Sequence, residues 1–204
     1  MLREHIIETA LNLFARNGIK RISMNDIAQA AGVSKRTLYE FFNDKETLLI
    51  QAMDATFSRA ETWVGELSEK TCTALEVFLL INDRLLVNNS AGYCETLYTD
   101  IKRYPSACEH LMRYKKRMLD NTIHLLKQGV VDGVFHPEID YEIIALLARE
   151  HIDMLGELPR MLGKFIPEKM HQMIFLIFIR GICTEAGRKI LEQHEMKKRY
   201  KMQQ

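Results

Sequence analysis

Apolar residues recur every three or four positions along almost the whole chain, which is the spacing of one face of an α-helix. This pattern predicts long helices at about 2–17, 45–66, 71–89, 91–102, 105–128, 141–158 and 167–193. The chain has only 4 prolines and 10 glycines, and no hairpin-type dipeptide stands between two alternating strands. We therefore predict an all-α protein.

Residues 23–45, SMNDIAQAAGVSKRTLYEFFNDK, form the most informative segment of the chain. Ser23 is suited to cap a short helix, and Asp26 three residues later completes something close to a capping box. Gly32 stands where a residue with positive φ is wanted after that helix. Ser34 can then cap a second short helix. Two helices joined by a tight glycine turn are the layout of a helix-turn-helix, whose second helix enters the major groove of DNA.

The second short helix has two chemically different faces. We assign its apolar residues to the core, and these are Leu38, Phe41 and Phe42. The other face carries side chains that can donate hydrogen bonds to phosphates or base edges, namely Lys35, Arg36, Thr37 and Tyr39. Glu40 lies on the same side and would repel phosphates, so it either accepts from a cytosine amino group or faces solvent.

These residues resemble the pattern of the TetR family of bacterial transcriptional regulators. That pattern is a capping Ser or Thr, then D-I-A, A-G-V-S, T-L-Y, an aromatic pair and a lysine. In this chain it stands as Ser23, Asp26-Ile27-Ala28, Ala31-Gly32-Val33-Ser34, Thr37-Leu38-Tyr39, Phe41-Phe42 and Lys45. A bare helix-turn-helix pattern has many false positives, whereas this fuller and correctly spaced pattern has few.

The resemblance implies a division of the chain into two domains. A three-helix DNA-binding head would occupy residues 1–46, and a helical ligand-binding and dimerisation body would occupy residues 47–204, with about nine helices in all. The boundary near residue 47 would fall inside a long helix that connects the head to the body.

The head supplies the predicted DNA-binding residues, which are Ser23, Ser34, Lys35, Arg36, Thr37, Tyr39 and Lys45. The resemblance implies that Tyr39 and Lys45 hold phosphates, whereas Arg36 could pair bidentately with a guanine, a contact worth roughly 1–3 kcal/mol of discrimination. The alternatives are that Lys35 and Arg36 are solvated charges and that Tyr39 is a packing ring. The net charge of the chain is only +1, but residues 16–45 hold six Lys or Arg against three acids.

The resemblance also implies a homodimer, formed by the last two predicted helices and their mates as a four-helix bundle. Half-sites in DNA lie about 34–36 Å apart, a distance that two heads in a dimer can span. The predicted interface consists of apolar residues on these helices, namely Ile144, Leu147, Ala148, Ile152, Leu155, Phe175, Phe178, Ile179 and Ile182. The alternative is that the second of these helices is central within one monomer.

In this family the middle helices usually enclose a ligand pocket, and ligand binding changes the separation of the heads. Aromatic and methionine side chains can line an apolar cavity, and an arginine or histidine can orient a polar group. The predicted ligand-binding residues are Trp63, Phe78, Tyr93, Tyr98, Arg103, Tyr104, His110, Met112 and Met118. Each of them has an equally good role in packing.

An enzyme is the first alternative, and the sequence argues against it. The 7 histidines are scattered, and there is no H-E-x-x-H motif or glycine-rich phosphate loop, so we predict no catalytic residues, no metal and no cofactor. The N-terminus carries acids among its apolar residues, which excludes a signal peptide, and no apolar run is long enough to span a membrane. We therefore expect a cytoplasmic protein whose cysteines are reduced.

These observations predict a homodimeric, cytoplasmic repressor that binds a palindromic operator in double-stranded DNA and responds to a small-molecule effector. The second hypothesis is a DNA-binding regulator controlled by a protein partner or by redox state, without a small-molecule ligand. Cys94 and Cys108 are the cysteines that such redox control could use.

Overall fold

The structure, a computed structural model, describes residues 1–87, 100–162 and 167–201. Its helices are α1 (Leu2–Asn17), α2 (Met24–Ala30), α3 (Lys35–Phe41), α4 (Lys45–Lys70), α5 (Ala74–Val87), α6 (Pro105–Val131), α7 (Tyr141–Leu162), α8 (Pro167–Ile182) and α9 (Glu185–Lys201). The prediction of an all-α protein is confirmed. None of the described helices is long and apolar enough to cross a membrane.

The chain packs as two units. The described residues of the first unit are Met1–Glu61 and 100–116, and the second unit takes the described residues of Thr62–Ala91 and Arg117–Gln204. The helices α4 and α6 therefore each contribute residues to both units. The predicted boundary between residues 46 and 47 separates DNA binding from ligand binding and dimerisation. A division by packing does not test it, so it stays a prediction.

The core of the first unit forms where α1, α2, α3 and the start of α4 bury their apolar faces. Its largest fully buried side chains are Phe14, Phe42, Ile6, Ile19, Ile27, Leu38, Leu48, Leu49 and Ile101. The assignment of Phe41 to the core is wrong, because its side chain is exposed. Leu38 lies on the inner side of α3 and Phe42 is the residue at which the helix ends, and both side chains are fully buried.

The first turn of α4 ties this unit together with two charged side chains. Lys45 donates from its ammonium group to the backbone oxygen of Ile19. The next residue, Glu46, accepts the backbone N–H groups of Ser106 at 2.6 Å and Ala107 at 3.1 Å. These N–H groups belong to the first turn of α6, where helical donors have no partner within the helix. A carboxylate at a helix N-terminus also meets the positive end of the helix dipole.

The second unit has its own core, built from α5 to α9. Its buried residues include Leu75, Leu79, Leu126, Phe135, Ile179, Ile182, Cys183 and Leu191. The helix α9 is fixed to α5 by polar contacts as well, since Asp83 pairs with His194 at 2.9 Å and accepts from Lys198.

The single helix predicted over 167–193 is wrong, because the chain breaks between α8 and α9. Cys183 forms an antiparallel bridge with Phe135, and Thr184 donates its backbone N–H to Val134 at 3.0 Å. The Thr184 hydroxyl then accepts from the backbone N–H of Gly187 at 3.2 Å and so caps α9. The helix predicted over 91–102 falls largely outside the described residues.

Gly187 in α9 offers a test of this break. A Cβ atom at this position would overlap the backbone oxygen of Val134, which belongs to the bridged segment. Although alanine is the better helix former, we expect Gly187→Ala to lower the free energy of unfolding by roughly 1–3 kcal/mol, the usual cost of overpacking.

The matched control is Gly65→Ala in α4, also in the second unit, where a Cβ atom would meet nothing within 4 Å. This substitution should raise the free energy of unfolding by about 1 kcal/mol through helix propensity alone. Urea denaturation of both variants measures the difference. Equal stabilisation by the two substitutions would mean that the bridge does not constrain α9.

Candidate nucleic-acid interface and the C-terminal unit

The first helix of the predicted helix-turn-helix begins with a complete capping box, as its sequence predicts. The Ser23 hydroxyl oxygen accepts the backbone N–H of Asp26 at 3.2 Å, and the Asp26 carboxylate accepts the backbone N–H of Ser23 at 2.8 Å. The same carboxylate accepts from the Ser23 hydroxyl, and these hydrogen bonds lower the pKa of Asp26. After α2 the chain turns at Gly32, whose φ is 66°.

The second helix, α3, starts at a serine cap. The Ser34 hydroxyl oxygen accepts the backbone N–H of Thr37 at 3.0 Å, and the two side-chain oxygens lie 2.8 Å apart. The cap fixes the direction in which α3 leaves the turn, while Leu38 anchors the helix in the core below.

The outward side of α3 carries Lys35, Arg36 and Tyr39, all of them exposed. The Lys35 ammonium lies 6.0 Å from the centre of the Tyr39 ring, and Arg36 pairs with Glu40 at 3.3 Å. Glu40 thus faces solvent and binds the neighbouring arginine. An exposed pair of this kind is worth only about 0–1 kcal/mol, so Arg36 can leave it at small cost.

Lys45 takes a different position from the other predicted DNA-binding residues. Besides its hydrogen bond to Ile19, its ammonium lies 5.8 Å from the Phe14 ring centre and 5.7 Å from the Tyr104 ring centre. To hold a phosphate, the side chain would have to give up these contacts. Its role as a phosphate contact stays a prediction.

Comparison with known proteins identifies the family of this head. The family described as "Bacterial regulatory proteins, tetR family" matches residues 6–52. The HTH-type transcriptional repressor KstR2 of Mycolicibacterium smegmatis is 23% identical over 199 residues, which cover 92% of this chain and 93% of that protein. The DNA-binding head of this chain belongs to the TetR family.

Solved structures of TetR-type regulators share the fold over most of the chain. A transcriptional regulator from Saccharomonospora viridis in complex with choline has a TM-score of 0.77 and 21% identity, covering 90% of this chain and 98% of its own. FadR from Bacillus subtilis in complex with stearoyl-CoA has a TM-score of 0.71 and 19% identity, covering 88% and 98%. The relatives are transcriptional regulators, so this TetR-family chain is a DNA-binding regulator and not an enzyme.

The predicted ligand-binding residues of this TetR-family chain are divided between the two units. Tyr93 and Tyr98 lie outside the described residues. The first unit holds Arg103, Tyr104, His110 and Met112, and the second holds Trp63, Phe78 and Met118. The side chains of Arg103, Met112 and Met118 are exposed.

Other residues of this predicted set make definite packing or polar contacts. The His110 ring nitrogen Nε2 lies 2.7 Å from an Asp54 oxygen. The guanidinium of Arg84 lies 4.1 Å above the centre of the Trp63 ring, and the Phe78 ring packs 6.2 Å from Phe135. These contacts agree with the packing role that the sequence left open for each residue.

A depression of about 340 Å³ lies where α6 and α7 meet in the second unit, and the described residues that line it include none of the predicted ligand-binding residues. Val130, Ile139 and Tyr141 give it an apolar wall, and Lys127 and Glu142 form an ion pair at its edge. The Tyr141 hydroxyl donates to the backbone oxygen of His136 at 2.6 Å, and burial raises the pKa of Tyr141 to about 12.

The second unit also contains a buried histidine pair that sequence reasoning missed. His151 on α7 and His171 on α8 are 9% and 7% exposed, and their facing ring nitrogens are 3.1 Å apart. The remaining nitrogens, Nδ1 of His151 and Nε2 of His171, are buried without a hydrogen-bond partner in the described part of the chain. The buried side-chain oxygen of Asn82 on α5 likewise has no partner there.

The histidine pair has a fixed hydrogen-bonding capacity. In a neutral pair one ring donates to the other, so one of the two outer nitrogens carries a proton and the other carries a lone pair. Whichever ring donates, the pair therefore offers one donor and one acceptor to a further group. No sequence motif marks this pair, because the two histidines are twenty residues apart and meet only through the packing of α7 on α8.

The predicted dimer residues take three different environments. Ile179 and Ile182 are buried in the core of the second unit, and their assignment to a dimer interface stays a prediction. Ile144, Ala148, Phe175 and Phe178 are half-buried, and the side chain of Leu155 lies outside the described residues. Leu147 and Ile152 are exposed.

The histidine pair predicts a pH dependence of stability. Burial lowers the pKa of His151, and burial together with the neighbouring His151 lowers the pKa of His171 to about 4. Between about pH 6.5 and pH 4 the unfolded chain binds protons that the folded pair cannot, so stability is fully present above pH 6.5 and falls with falling pH. We expect a loss on the order of 3 kcal/mol by pH 4.

The double variant His151→Leu/His171→Leu should flatten the decline in the free energy of unfolding across this window. Denaturation at a series of pH values measures it, and His124→Gln, which changes an exposed histidine of the second unit, serves as control. Parallel curves for the double variant and the wild type would show that folding does not change the pKa of either histidine.

Proposed function

We propose that this TetR-family regulator is a homodimeric, cytoplasmic repressor that binds a palindromic operator and is released from it by a small-molecule effector. The observation that carries the proposal is the exposed row of Lys35, Arg36 and Tyr39 on a helix held by two serine caps. A helix presented in this way fits the major groove, with its first turn at the base edges.

Arg36 is the residue that we assign to base reading. It lies in the first turn of α3, its side chain is exposed, and Glu40 is its partner in the free protein. On DNA, two parallel hydrogen bonds to a guanine would replace one weak ion pair. The hydroxyl groups of the other predicted residues then donate to phosphates and position the helix; these residues are Ser23, Ser34, Thr37 and Tyr39. Hydrogen bonds to the DNA backbone carry no sequence information directly.

Arg36→Ala should weaken binding to the cognate operator by roughly 10- to 100-fold, which corresponds to the 1–3 kcal/mol of a bidentate base contact. Binding to random DNA should change little. Titration of the purified protein against its own upstream DNA and against a scrambled sequence measures both affinities.

The matched control is Arg113→Ala, because Arg113 on α6 is also exposed and also pairs with a glutamate four residues away. It removes the same charge and the same kind of ion pair from the same unit. An equal loss of affinity on cognate and random DNA in the Arg36 variant would contradict base reading by Arg36.

A second copy of the chain is the partner that we propose for the exposed apolar face of α7 and α8. Ile143, Leu146 and Leu147 lie at helical spacing on α7, and Met173 and Ile177 lie four residues apart on α8. Monomeric proteins seldom expose so many large apolar side chains on adjoining helices. A two-fold symmetric dimer covers the same face on both copies, and it supplies the two heads that a palindrome requires.

This proposal uses helix faces that differ from those the sequence indicated. On α8 the predicted stripe at Ile179 and Ile182 packs inward, and the outward residues are Met173 and Ile177. On α7 the exposed stripe begins at Ile143 rather than Ile144. Apolar residues occur all round these helices, so helical spacing alone does not distinguish a core face from an interface face.

Ile177→Glu should convert the dimer to monomers at micromolar concentration, because a carboxylate would be buried at the proposed interface without a partner. Ile177 is 66% exposed in one copy of the chain, so the monomer itself should fold normally. Sedimentation velocity gives the oligomeric state, and circular dichroism checks the helical content.

Val131→Glu is the control, since Val131 is 79% exposed in the same unit but lies at the end of α6. It should remain dimeric. A dimeric Ile177 variant would exclude this face as the interface.

The effector proposal rests on the relatives and on the interior of the second unit. Two solved TetR-type regulators hold choline and stearoyl-CoA. Among the described residues of this chain, the outer ring nitrogens of the pair formed by His151 and His171 are buried without partners, and a neutral pair of this kind favours an uncharged polar group. An effector that lowers operator affinity must itself bind less tightly to the DNA complex by the same factor. Calorimetric titration with and without operator checks this equality.

A further inference from the structure

The turn just before α6 carries two exposed cations, Lys102 and Arg103. No ion pair joins either side chain to an acid in the described part of the chain. Several other exposed cations do pair with an acid four residues away, as Arg36 does with Glu40 and Lys189 does with Glu185. The ammonium group of Lys102 and the guanidinium group of Arg103 are therefore available to bind an anion.

The turn is held against the DNA-binding head at both of its ends. On one side the Asp100 carboxylate accepts the backbone N–H of Lys20 at 2.8 Å. On the other side the Tyr104 ring lies 5.7 Å from the Lys45 ammonium, which donates to Ile19. Lys102 and Arg103 lie between these two anchors.

Internal contacts make the turn rigid. The backbone N–H of Arg103 donates to the oxygen of Asp100 at 3.2 Å, and that of Tyr104 donates to the oxygen of Ile101 at 2.8 Å. Ile101 is 2% exposed and belongs to the core of the first unit. The backbone is therefore fixed, and only the long side chains of Lys102 and Arg103 extend into solvent.

The turn extends a basic surface that starts in the helix-turn-helix. Lys20 and Arg21 are exposed and stand just before Ser23, the cap of α2. Because Asp100 bonds to the backbone of Lys20, the segment that carries Lys102 and Arg103 adjoins the segment that carries Lys20 and Arg21, and the two hold four positive charges. The acid next to these cations is Asp100, and its carboxylate already accepts the backbone N–H of Lys20.

We propose that Lys102 and Arg103 bind DNA phosphates next to those reached from the start of α2, and so extend the DNA-binding surface beyond the helix-turn-helix. The inference rests on the proposed DNA-binding function and adds a second segment of the chain to it. Contacts of this kind add affinity without sequence preference, because every phosphate presents the same oxygens. Arg103, which the sequence placed in the ligand pocket, takes a DNA role in this arrangement.

The test is the double variant Lys102→Ala/Arg103→Ala in the full-length protein. Each phosphate contact contributes about 0.9 to the slope of log affinity against log salt concentration. Loss of both contacts in both copies of a dimer should therefore reduce the slope by about 3.6. Affinity should fall by the same factor, roughly tenfold or more at low salt, on operator and on random DNA.

Two further variants control for net charge and for folding. Arg113→Ala/Lys116→Ala removes the same charge from exposed positions of α6 in the same unit, and it should leave the slope nearly unchanged. Lys102→Arg/Arg103→Lys keeps the charge and should retain the wild-type slope. Thermal melting of each variant checks that the head is folded.

The outcomes separate this inference from the proposed function. A wild-type slope in the Lys102→Ala/Arg103→Ala variant, or a decrease no larger than that of the Arg113→Ala/Lys116→Ala control, would overturn the inference and leave specific DNA binding intact. A wild-type protein without salt-dependent binding to any DNA would overturn the proposed function and the inference with it.

Discussion

The first turn of α4 holds together the part of the molecule that reads DNA. Lys45 and Glu46 are adjacent, and they satisfy backbone groups from two different segments: the carbonyl of Ile19 and the first N–H groups of α6. A buried backbone group without a partner costs about as much as a lost hydrogen bond. Replacing Lys45 would therefore loosen the loop before α2, and replacing Glu46 would loosen the start of α6.

The orientation of α3 depends on a serine cap, which occurs at the start of both α2 and α3. Ser23 and Ser34 each accept a backbone N–H three residues later, so each helix begins at a defined residue and points in a defined direction. The apolar side of α3 is then fixed by Leu38, and its polar side has to face outward. The exposure of Lys35, Arg36 and Tyr39 is a consequence of how the inner side packs.

This local character explains which features could be predicted from the sequence. The bounds of α1, the caps of α2 and α3 and the positive φ of Gly32 depend on residues within a few positions of each other, and the structure confirms them. The break at Thr184 depends on a bridge to a segment about fifty residues earlier, which the sequence pattern does not indicate. The faces of α7 and α8, the histidine pair and the docking of the turn at Lys102 depend on tertiary packing, for which helical periodicity gives no rule.

The surface of the first unit and the buried histidine pair of the second unit suit different kinds of ligand. The first unit displays exposed cations that suit a polyanion, whereas the second buries His151 and His171 under conditions that lower their pKa values and keep them neutral. A ligand suited to one environment is poorly suited to the other, so an effector and DNA would not compete for one site. Any effect of the effector on DNA binding must then come from a preference for different conformations of the protein. The helices α4 and α6 contribute residues to both units, so any change in their packing involves both.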